Sequence, residues 1–595
     1  MTSVLSAKFH LPPQDLDAPS LFTPDREAVK DWLAGLPKTN LGQSTRALFN
    51  AVTELNRVRL LPAARLQLLD SLRPAVHGAT QSLRRHYLNQ PVQLPEQAQK
   101  VARLAHVLHE QLATGYILAA AHTLSCGKQS GFSQPQQAIA TATHRGLVEH
   151  SQNLLRDYQL YRNPHPGCWA TLHQLAKFAR DNAVLQIAVA DDQCGHCTLE
   201  AAYLRALLLG SARANQLRQD HLAKVFQHAI VWAGAVKWIA PDHAALVVNP
   251  DSDDGPIYRE FATVDINWLG LDTGHLAEVL NAQRELAEAQ ALSDQQLGPE
   301  LLHHLAQTWG STSTREFLRM DVREPIEIAL GLTATHHFMA DEIDFSLLLS
   351  EEGHSKLVSQ DDNVFLRPKS EGPMSPGKKD VWDSPYHPNA GAINVSLEIL
   401  DYQMREQHQK ASSEKQSDKF RSQKVERINV SPGGLCITWP PHSGMQLRTG
   451  EIVGIREHAQ KKWSVGVVRW VQLTEAGPRL GIELLSPTAV PYGARAINKT
   501  GERGEYQRAL VLPEIKQIDQ PATLLASRLP FRVGQKVSLL RNSKETRVQL
   551  TRKLASTAAF NQFEFRRLSS PKVQEEQTEA KTDKNSGFDS LWDSL

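Results

Sequence analysis

The chain has 595 residues, of which 41% are hydrophobic and 22% charged, the balance of a soluble globular protein. This length exceeds what one hydrophobic core supports and predicts about three or four domains of roughly 100–200 residues each. The 65 basic and 64 acidic residues leave a net charge of +1. The protein therefore has no overall electrostatic field that would attract DNA or a membrane surface, and local groups must bind any anionic partner.

The N-terminal segment predicts no export. MTSVLSAKFHLPPQ lacks the apolar core of about 7–15 residues that a signal peptide needs, and no stretch approaches the ~20 apolar residues of a membrane span. Five cysteines, an odd number in a long chain, are typical of reduced thiols rather than of a disulfide framework. We therefore expect a cytoplasmic protein.

The first 240 residues follow a helical period. Val101, Leu104 and Leu108 recur every three or four residues, which places them on one face of a helix. The pattern predicts a helical domain over residues 1–240, either a bundle or a TPR-like array, although no signature repeats at a fixed period. Further amphipathic stretches lie near residues 145–160, 170–185, 198–213 and 217–233.

One segment of this helical part carries reactive side chains. QCGHC places Cys194 and Cys197 in a Cys-x-x-Cys spacing, which occurs in thioredoxin-like redox sites and as half of a zinc site. The sequence has no second Cys-x-x-Cys or His-x-x-x-His to complete four zinc ligands. Asp191 and Asp192 precede the pair and would raise thiol pKa values. We predict a loop before a helix, without a bound metal or a redox role.

Residues 241–310 break the helical pattern. HAALVVNP and TVDINWLGL predict short strands around an acidic turn, and the helical period then returns. We expect a mixed connector of strand and helix over this range. After residue 310 the period changes to two, since Ile326, Ile328 and Leu330 alternate on one face of a predicted strand in residues 311–340.

The rest of the chain alternates between polar segments and strands. Residues 341–424 are rich in Pro, Gly, Ser and charged residues, and predict an insertion or linker with one strand, INVSLEILDYQ. Over residues 425–490, LCITWP, EIVGIRE, WSVGVVRWVQL and RLGIELL have the cadence of a small antiparallel barrel. RALVLPEIK, QKVSLLRN, TRVQLTRKL and FNQFEFRRL predict a further β region over residues 491–567.

Residues 568–595 are polar and predict a flexible tail. The tail ends in SGFDSLWDSL, in which Phe588, Leu591, Trp592 and Leu595 would form one side of a short helix. Such a face would dock either on a protein partner or on its own chain.

Two motifs in the β part carry recognition chemistry. Arg315 and Arg319 form an Arg-x-x-x-Arg spacing just before a predicted strand, and Asn429, Ser431 and Gly434 form Asn-x-Ser-x-x-Gly between two strands. Guanidinium groups fork onto phosphate or onto the O6/N7 edge of guanine. Asn and Ser offer hydrogen bonds to a base edge, and glycines let the backbone approach a planar ligand. Together the motifs indicate a guanine nucleotide with phosphates.

Arg-x-x-x-Arg, a strand and then Asn-x-Ser-x-x-Gly resemble the PilZ family, whose small β-barrel binds the bacterial second messenger cyclic di-GMP. Trp470 and Gly481 stand where the later hairpin of this family would place them. The resemblance implies that Arg315 and Arg319 bind phosphate and guanine from a flexible entrance. It also implies that Asn429 and Ser431 hydrogen-bond the other guanine, while Gly434, with Gly433, permits the turn.

Two features depart from the usual pattern of that family. The insertion of residues 341–424 separates the motifs far more than is usual, although closing a longer loop costs little per added residue. Arg319 and Arg323 share the same spacing as Arg315 and Arg319. We prefer the first pair because Arg323 would fall inside the strand.

The resemblance implies a cyclic di-GMP receptor without catalysis of its own, and we expect no cofactor and no metal. The nucleotide would bridge the arginine segment and the barrel, and a protein partner would read the resulting angle between the helical and β parts. The order of parts resembles a large PilZ effector that acts in surface attachment through type IV pili. This likeness implies a pilus-associated partner and recruitment to the cell pole.

Three other functions compete with this interpretation. A degenerate barrel without ligand would leave a protein-interaction scaffold. Cys194 and Cys197 would make the protein a thiol oxidoreductase. The basic strands of residues 505–567 would bind single-stranded nucleic acid. We prefer the receptor, and expect neither enzymatic activity nor nucleic-acid binding.

Overall fold

The computed structural model combines a helical body with two β-barrels. The residues it describes are 9, 11–37, 40–289, 297–310, 319–349, 420–440, 446–458, 461–497, 504–515 and 520–568. Helices and a small sheet extend to residue 310, and two closed barrels follow. The fold class predicted from the sequence, a helical N-terminal half followed by a small antiparallel barrel and a further β region, is confirmed.

Helices make up most of the N-terminal part. Those described before residue 240 are α1 (Arg26–Ala34), α2 (Leu41–Leu55), α3 (Pro62–Leu83), α4 (Glu96–Cys126), α5 (Pro135–Gln159), α6 (Cys168–Asp181), α7 (Leu199–Ser211) and α8 (Gln219–Trp232). Among the described residues, no helix combines the length and the apolar character needed to cross a membrane.

The core of the helical part is built around α4. This helix is 31 residues long and packs against α3 and α5. The face predicted from Val101, Leu104 and Leu108 is buried, and each such side chain contributes about 1.5–3 kcal/mol by leaving water. Tyr116 is also buried, and its hydroxyl donates to Asp70 of α3 at 2.9 Å. The central helix therefore fixes the positions of its neighbours.

The Cys-x-x-Cys segment is a β-hairpin rather than a loop. Strands β1 (Ala188–Asp191) and β2 (Gly195–Thr198) pair antiparallel, with Asp191 opposite Gly195. Gly195 has a φ of 74°, which the turn requires and glycine adopts without strain. The prediction of a loop was wrong because strands of four residues are too short to show a period of two. The helix predicted to follow it is α7, which Thr198 caps by accepting from the Ala201 N–H.

A small antiparallel sheet completes the helical body. Its strands β3 (Lys237–Ile239), β4 (Leu246–Val248), β5 (Ile257–Tyr258) and β6 (Leu269–Asp272) lie in the order 3-6-4-5. Helices α9 (Gly274–Ala289) and α10 (Pro299–Gly310) follow. Leu246, Leu271 and Trp309 belong to the same hydrophobic core as the helices before residue 240. The connector is therefore packed onto the helical part.

The first barrel is closed and antiparallel. Its strands follow the order β10-β11-β12-β9-β8-β7 around the barrel. Ile326 and Ile328 are buried in the barrel core and Leu330 packs against it, which confirms the predicted alternation. The strand bounds are β7 (Met320–Leu330), β8 (Ser422–Ser431), β9 (Gly434–Thr438), β10 (Ile452–Arg456), β11 (Ser464–Thr474) and β12 (Gly477–Ser486).

The predicted insertion connects two neighbouring strands of this barrel. Helices α11 (Gly331–Met339) and α12 (Phe345–Leu349) follow β7, and β8 pairs antiparallel with β7. A long connection between paired strands is compatible with a closed barrel, because the entropic cost of closing a loop grows only slowly with its length. The strand predicted at INVSLEILDYQ and the tail after residue 568 lie outside the described residues.

The second barrel is also closed, with the strand order β13-β14-β15-β18-β17-β16. The sequence pattern indicated four of its strands and missed β13 and β15. Pro491 and Gly493 interrupt the strand pattern of β13, and β15 is short and almost wholly buried, without alternation. The bounds are β13 (Val490–Ile497), β14 (Gln507–Leu512), β15 (Thr523–Ser527), β16 (Lys536–Arg541), β17 (Lys544–Ser556) and β18 (Phe560–Arg567).

The first barrel contacts the helical part through β11 and the segment before β10. The Leu473 N–H donates to the Tyr161 carbonyl at 2.8 Å, and Arg218 Nε donates to the Thr449 carbonyl at 2.8 Å. On its other side the same barrel shares an apolar cluster with the second barrel, including Val465 and Leu510. The first barrel thus contacts both other parts of the chain, and Lys553 of the second barrel also reaches Glu300 of α10 at 3.5 Å.

Candidate functional site

The pairing of β7 with β8 brings the two sequence motifs together. Asp321 lies opposite Asn429 and Met320 opposite Val430. Arg319 directly precedes β7, so the same register places its backbone beside Ser431. The two motifs, which are far apart in sequence, are thus neighbours on adjacent paired strands. Arg319 is exposed, which leaves its guanidinium accessible at the end of the strand.

The turn between β8 and β9 rests against β12. Ser431 pairs with Gly434 across the turn, and its hydroxyl donates to the Gly434 carbonyl at 3.2 Å. The Gly433 carbonyl accepts from the Leu484 N–H at 3.0 Å. A Cβ at Gly434 would overlap the Ile482 carbonyl oxygen. Glycine is therefore required at residue 434 by a close backbone approach, as the motif predicted for this turn.

An indole ring forms part of the wall beside this turn. Trp470 of β11 pairs with Gly481 of β12, and its indole occupies the space where a side chain at residue 481 would begin. Trp470 is half-buried. The absence of a Cβ at Gly481 therefore lets the ring lie against the backbone of β12, where an aromatic face is available for a planar ligand.

These elements surround one groove with a volume of about 530 Å³, within the range of about 300–1,000 Å³ for small-molecule sites. Two arginines and one glutamate give its wall an excess of positive charge, and Arg469 Nε donates to Glu483 Oε2. The lining residues are Arg319, Asn429, Ser431, Gly433, Gly434, Leu435, Arg469, Trp470, Gly481, Ile482, Glu483 and Leu484.

The positive charge of Arg319 also acts on Cys436, a residue of the barrel wall under the groove. Cys436 of β9 lies opposite Asn429 and Gly481. Burial raises the pKa of the Cys436 thiol, and the positive charges of Arg319 and Arg479 oppose that rise. Cys436 therefore stays a neutral thiol at neutral pH, so it adds no negative charge that would repel an anion in the groove.

The structure brings together most of the residues predicted from the sequence. Arg319, Asn429, Ser431, Gly433 and Gly434 all line the groove. Arg315 lies outside the described residues.

Arg323, the alternative partner in the arginine spacing, lies on β7 with an exposed side chain. It is not among the described residues that line the groove.

Sequence reasoning did not assign Arg469 and Trp470 to the site. Both lie on β11, where consecutive residues point to opposite faces. A consecutive Arg and Trp in VVRWVQL gives no signal that both side chains border one groove. The signal that exists is Gly481, because a glycine inside a strand often marks a close approach by another group.

The chemistry of the groove suits a planar anion with a hydrogen-bonding edge. Arg319 offers guanidinium donors to phosphate or guanine. Asn429 supplies both a donor and an acceptor, and the Ser431 hydroxyl still has lone pairs to accept with while it donates to Gly434. A closed six-stranded barrel that carries an arginine beside an Asn-x-Ser-x-x-Gly turn defines a PilZ domain.

Comparisons with known proteins agree with this class and extend it over the chain. The family model described as the middle PilZ domain of the cyclic-di-GMP receptor FimW matches residues 245–491. The N-terminal domain model of FimW matches residues 27–242, and its C-terminal β-barrel model matches residues 492–568. A curated relative, the cyclic-di-GMP receptor FimW of Pseudomonas aeruginosa PAO1, is 33% identical over 570 residues, which cover 90% of each chain. The chain belongs to the FimW family. No solved structure matches it.

Proposed function

We propose that this protein is a cyclic di-GMP receptor that binds the nucleotide in the groove of its PilZ barrel and signals to a protein partner. The observation that carries the proposal is the convergence of Arg319, Asn429 and Ser431 on one groove despite the long insertion between them. The relative from Pseudomonas aeruginosa is named as a receptor for the same nucleotide. Arg315, four residues earlier in the sequence, would complete the arginine pair.

The groove offers a separate group for each part of the ligand. Arg319 and Arg315 would bind a phosphate and the guanine edge, because a guanidinium forks onto either. Asn429 and Ser431 would hydrogen-bond the other guanine, and the Trp470 face would border the bases. Gly433 and Gly434 keep this side of the groove free of side chains, so a flat ligand can approach the turn.

The position of the groove supports signalling to the helical part. The β11 strand that carries Trp470 at the groove also carries Leu473, whose N–H donates to the Tyr161 carbonyl of the helical part. Gln472 and Asn163 hydrogen-bond beside this contact at 3.3 Å. A ligand that binds more tightly to one arrangement of these parts would favour that arrangement by the difference in its affinity. A protein partner would then bind the favoured arrangement more tightly than the other.

We further propose that the partner belongs to the type IV pilus machinery and that the protein acts in surface attachment. The resemblance of the whole chain to a large PilZ effector of that pathway supports this. Such a role places the protein in the cytoplasm, with recruitment to the cell pole where its partner is. A comparison of proteins captured from cells by the full chain and by a chain without its last 10 residues would identify partners that need the tail.

Titration calorimetry of the purified chain with cyclic di-GMP tests the receptor directly. We expect saturable binding, and its stoichiometry reports whether one nucleotide or a stacked pair is bound. GMP and cyclic di-AMP are the control ligands, because they lack either the cyclic dinucleotide or the guanine edge. If no heat appears at roughly tens of micromolar cyclic di-GMP, the protein is the alternative, an interaction scaffold whose barrel has lost its ligand.

Ser431→Ala is expected to weaken nucleotide binding without abolishing it. The change removes one neutral hydrogen bond, at about 0.5–1.5 kcal/mol, which corresponds to roughly a 2- to 12-fold increase in Kd. The same hydroxyl also donates to Gly434, so the turn loses one constraint. Calorimetry measures the effect. Ser464→Ala, a half-buried serine at the start of β11 away from the lining of the groove, is the matched control. An unchanged Kd for Ser431→Ala would show that this hydroxyl does not contribute to nucleotide binding.

A further inference from the structure

A cluster of metal-binding side chains lies in the helical part, far in sequence from the nucleotide groove. Cys194 is in the turn of the β1–β2 hairpin, Cys197 is on β2, and His144 is on α5. Their ligand atoms all lie within 4.8 Å of one another. His144 Nε2 is 3.2 Å from the Cys197 Sγ. The sequence could not show this cluster, because the third ligand comes from a helix about 50 residues before the cysteines.

The spacing of these atoms is close to that of a tetrahedral zinc site. With Zn–S near 2.3 Å and Zn–N near 2.0 Å, ligand atoms around one ion are separated by roughly 3.5–3.8 Å. An ion could therefore enter with small shifts of the side chains. Two thiolates and one imidazole are also a ligand set that selects zinc over magnesium or calcium.

His144 is buried, with one ring nitrogen toward Cys197 and the other toward a carboxylate. The side chain is completely buried, and burial lowers its pKa to about 4, with Asp191 opposing that shift. Its Nδ1 has no hydrogen-bond partner among the described residues and lies 3.8 Å from Asp191 Oδ2. A carboxylate behind the second ring nitrogen is the usual outer partner of a zinc-bound histidine.

Arg73 and the Gln193 N–H hold that carboxylate in place. Arg73 Nη1 donates to Asp191 Oδ2 at 2.6 Å, and the Gln193 N–H donates to Asp191 Oδ1 at 2.8 Å. Asp191 is thus fixed between the arginine and the histidine. The fold therefore orients His144 toward the cysteines before any ion binds.

The two cysteines hydrogen-bond each other and border a positive charge. Arg205 Nη1 lies 3.0 Å from the Cys194 Sγ. The hydrogen bond from Cys197 lowers the pKa of Cys194, and the charge of Arg205 assists, which outweighs the opposite effect of Asp191. The expected effect of the acids is present, since Asp191 raises the pKa of both thiols, but at Cys194 the hydrogen bond and Arg205 outweigh it. The pKa of Cys197 is raised, because its proton is held by the hydrogen bond to Cys194. An ion would displace that proton, since a thiolate is the form of cysteine that binds metal.

The charges around the cluster also accommodate a divalent cation. Arg73 and Arg205 are balanced by Glu149 and Asp191, so these four side chains sum to zero. Zn²⁺ with two thiolates is neutral as well. The loaded site would therefore bury no net charge, which removes the main cost of placing an ion in a protein interior.

We propose that His144, Cys194 and Cys197 bind a zinc ion that ties the β1–β2 hairpin to α5, with water at the fourth position. A second cluster, His77, His109 and Glu149, fits a metal less well. There the Glu149 carboxylate already accepts from both histidines and from Arg73, at 2.6–2.9 Å. An ion there would displace the charge-assisted hydrogen bonds of a buried carboxylate, whereas at His144, Cys194 and Cys197 it would replace only the weaker contacts that these three side chains make with one another.

Metal analysis of the full chain, purified without a histidine tag from zinc-supplemented cells, tests the site. We expect about one zinc per chain by mass spectrometry of the metal content. Exchange with Co²⁺ should produce the near-ultraviolet absorption of a thiolate-to-cobalt charge transfer. Treatment with a strong chelator should lower the thermal midpoint of the helical part, because a ligand that binds only the folded state stabilises it.

The variants separate this cluster from other sources of metal. Cys197→Ser should lose the zinc and the cobalt band, while Cys126→Ser, at an exposed cysteine elsewhere, and His77→Gln should retain both. The cobalt titration of the unaltered chain tests the site independently of any effect that Cys197→Ser has on the fold. A chain that takes up no zinc or cobalt, a disulfide between Cys194 and Cys197 in freshly purified protein, or zinc retained in Cys197→Ser would each overturn the proposal.

Discussion

Arg319→Ala is expected to abolish measurable cyclic di-GMP binding while leaving the melting temperature nearly unchanged. The guanidinium would make two charge-assisted hydrogen bonds to the nucleotide, at about 1.5–3 kcal/mol each. Their loss corresponds to an increase in Kd of roughly 100-fold or more. Stability should hardly change, because Arg319 is exposed and exposed charged side chains contribute little to folding. Arg315→Ala is expected to act in the same way.

Arg323→Ala is the matched control for this experiment. It removes the same side chain four residues later, also from an exposed position, and Arg323 is not among the described residues that line the groove. Calorimetry and thermal melts of the three variants should show two losses of binding and one chain that binds normally. If Arg323→Ala abolished binding while Arg315→Ala did not, the arginine pair would be Arg319 and Arg323.

The nucleotide groove was largely predictable because its residues form two short motifs. Asn429, Ser431 and Gly434 are local in sequence, so their spacing alone indicates a turn with a close backbone approach. Arg319 was recognised by its place before a strand, and the β7–β8 register then brought it to the turn. Arg469 and Trp470 could not be found this way, because their part in the groove depends on the neighbouring strand β12 and on Gly481.

The zinc cluster shows the opposite case. Cys194 and Cys197 are visible as a pair, but the site depends on His144, and nothing local in sequence connects that histidine to them. Tertiary packing of α5 against the hairpin supplies the third ligand. Strand β13 was missed for a related reason. Pro491 and Gly493 weaken its local pattern, and pairing with β14 and β16 compensates for that weakness.

The helical part is expected to lose stability steeply as the pH falls from about 6.5 toward 5. Burial, together with the positive charges of His165 and Arg156, lowers the pKa of His106 to about 2. Burial likewise lowers the pKa of His109 and of His150 to about 4. All three side chains are therefore neutral in the folded chain at pH values where a free histidine, with a pKa near 6.5, takes up a proton.

The sign of the effect follows from the protons bound in each state. Below pH 6.5 the unfolded chain binds protons at these histidines and the folded chain does not, so unfolding is favoured as the pH falls. The loss continues until the folded-state pKa values are reached. Each histidine contributes about 1.4 kcal/mol per pH unit within this window. At pH 5 the three together cost roughly 6 kcal/mol, comparable with the whole stability of many domains, about 5–15 kcal/mol.

Glu149 does not offset this loss. Burial raises the pKa of its carboxyl group, but His77 and Arg73 outweigh burial and hold that pKa well below its usual range. A carboxyl group with a lowered pKa stabilises the fold above its unfolded pKa, near 4.5, and loses that effect only at lower pH. Between pH 6.5 and 5 its contribution is therefore constant, and the histidines decide the slope.

Thermal melts followed by circular dichroism at 222 nm measure this slope, since most of the described helices lie in the helical part. His150→Gln removes one buried proton acceptor, so its melting temperature should fall less between pH 7 and pH 5 than that of the unaltered chain. His275→Gln, at an exposed histidine on α9, should behave as the unaltered chain does. The buried histidines are the cause only if these two variants differ. Equal slopes for both, or a melting temperature that does not change with pH, would show that protonation of this core does not control its stability.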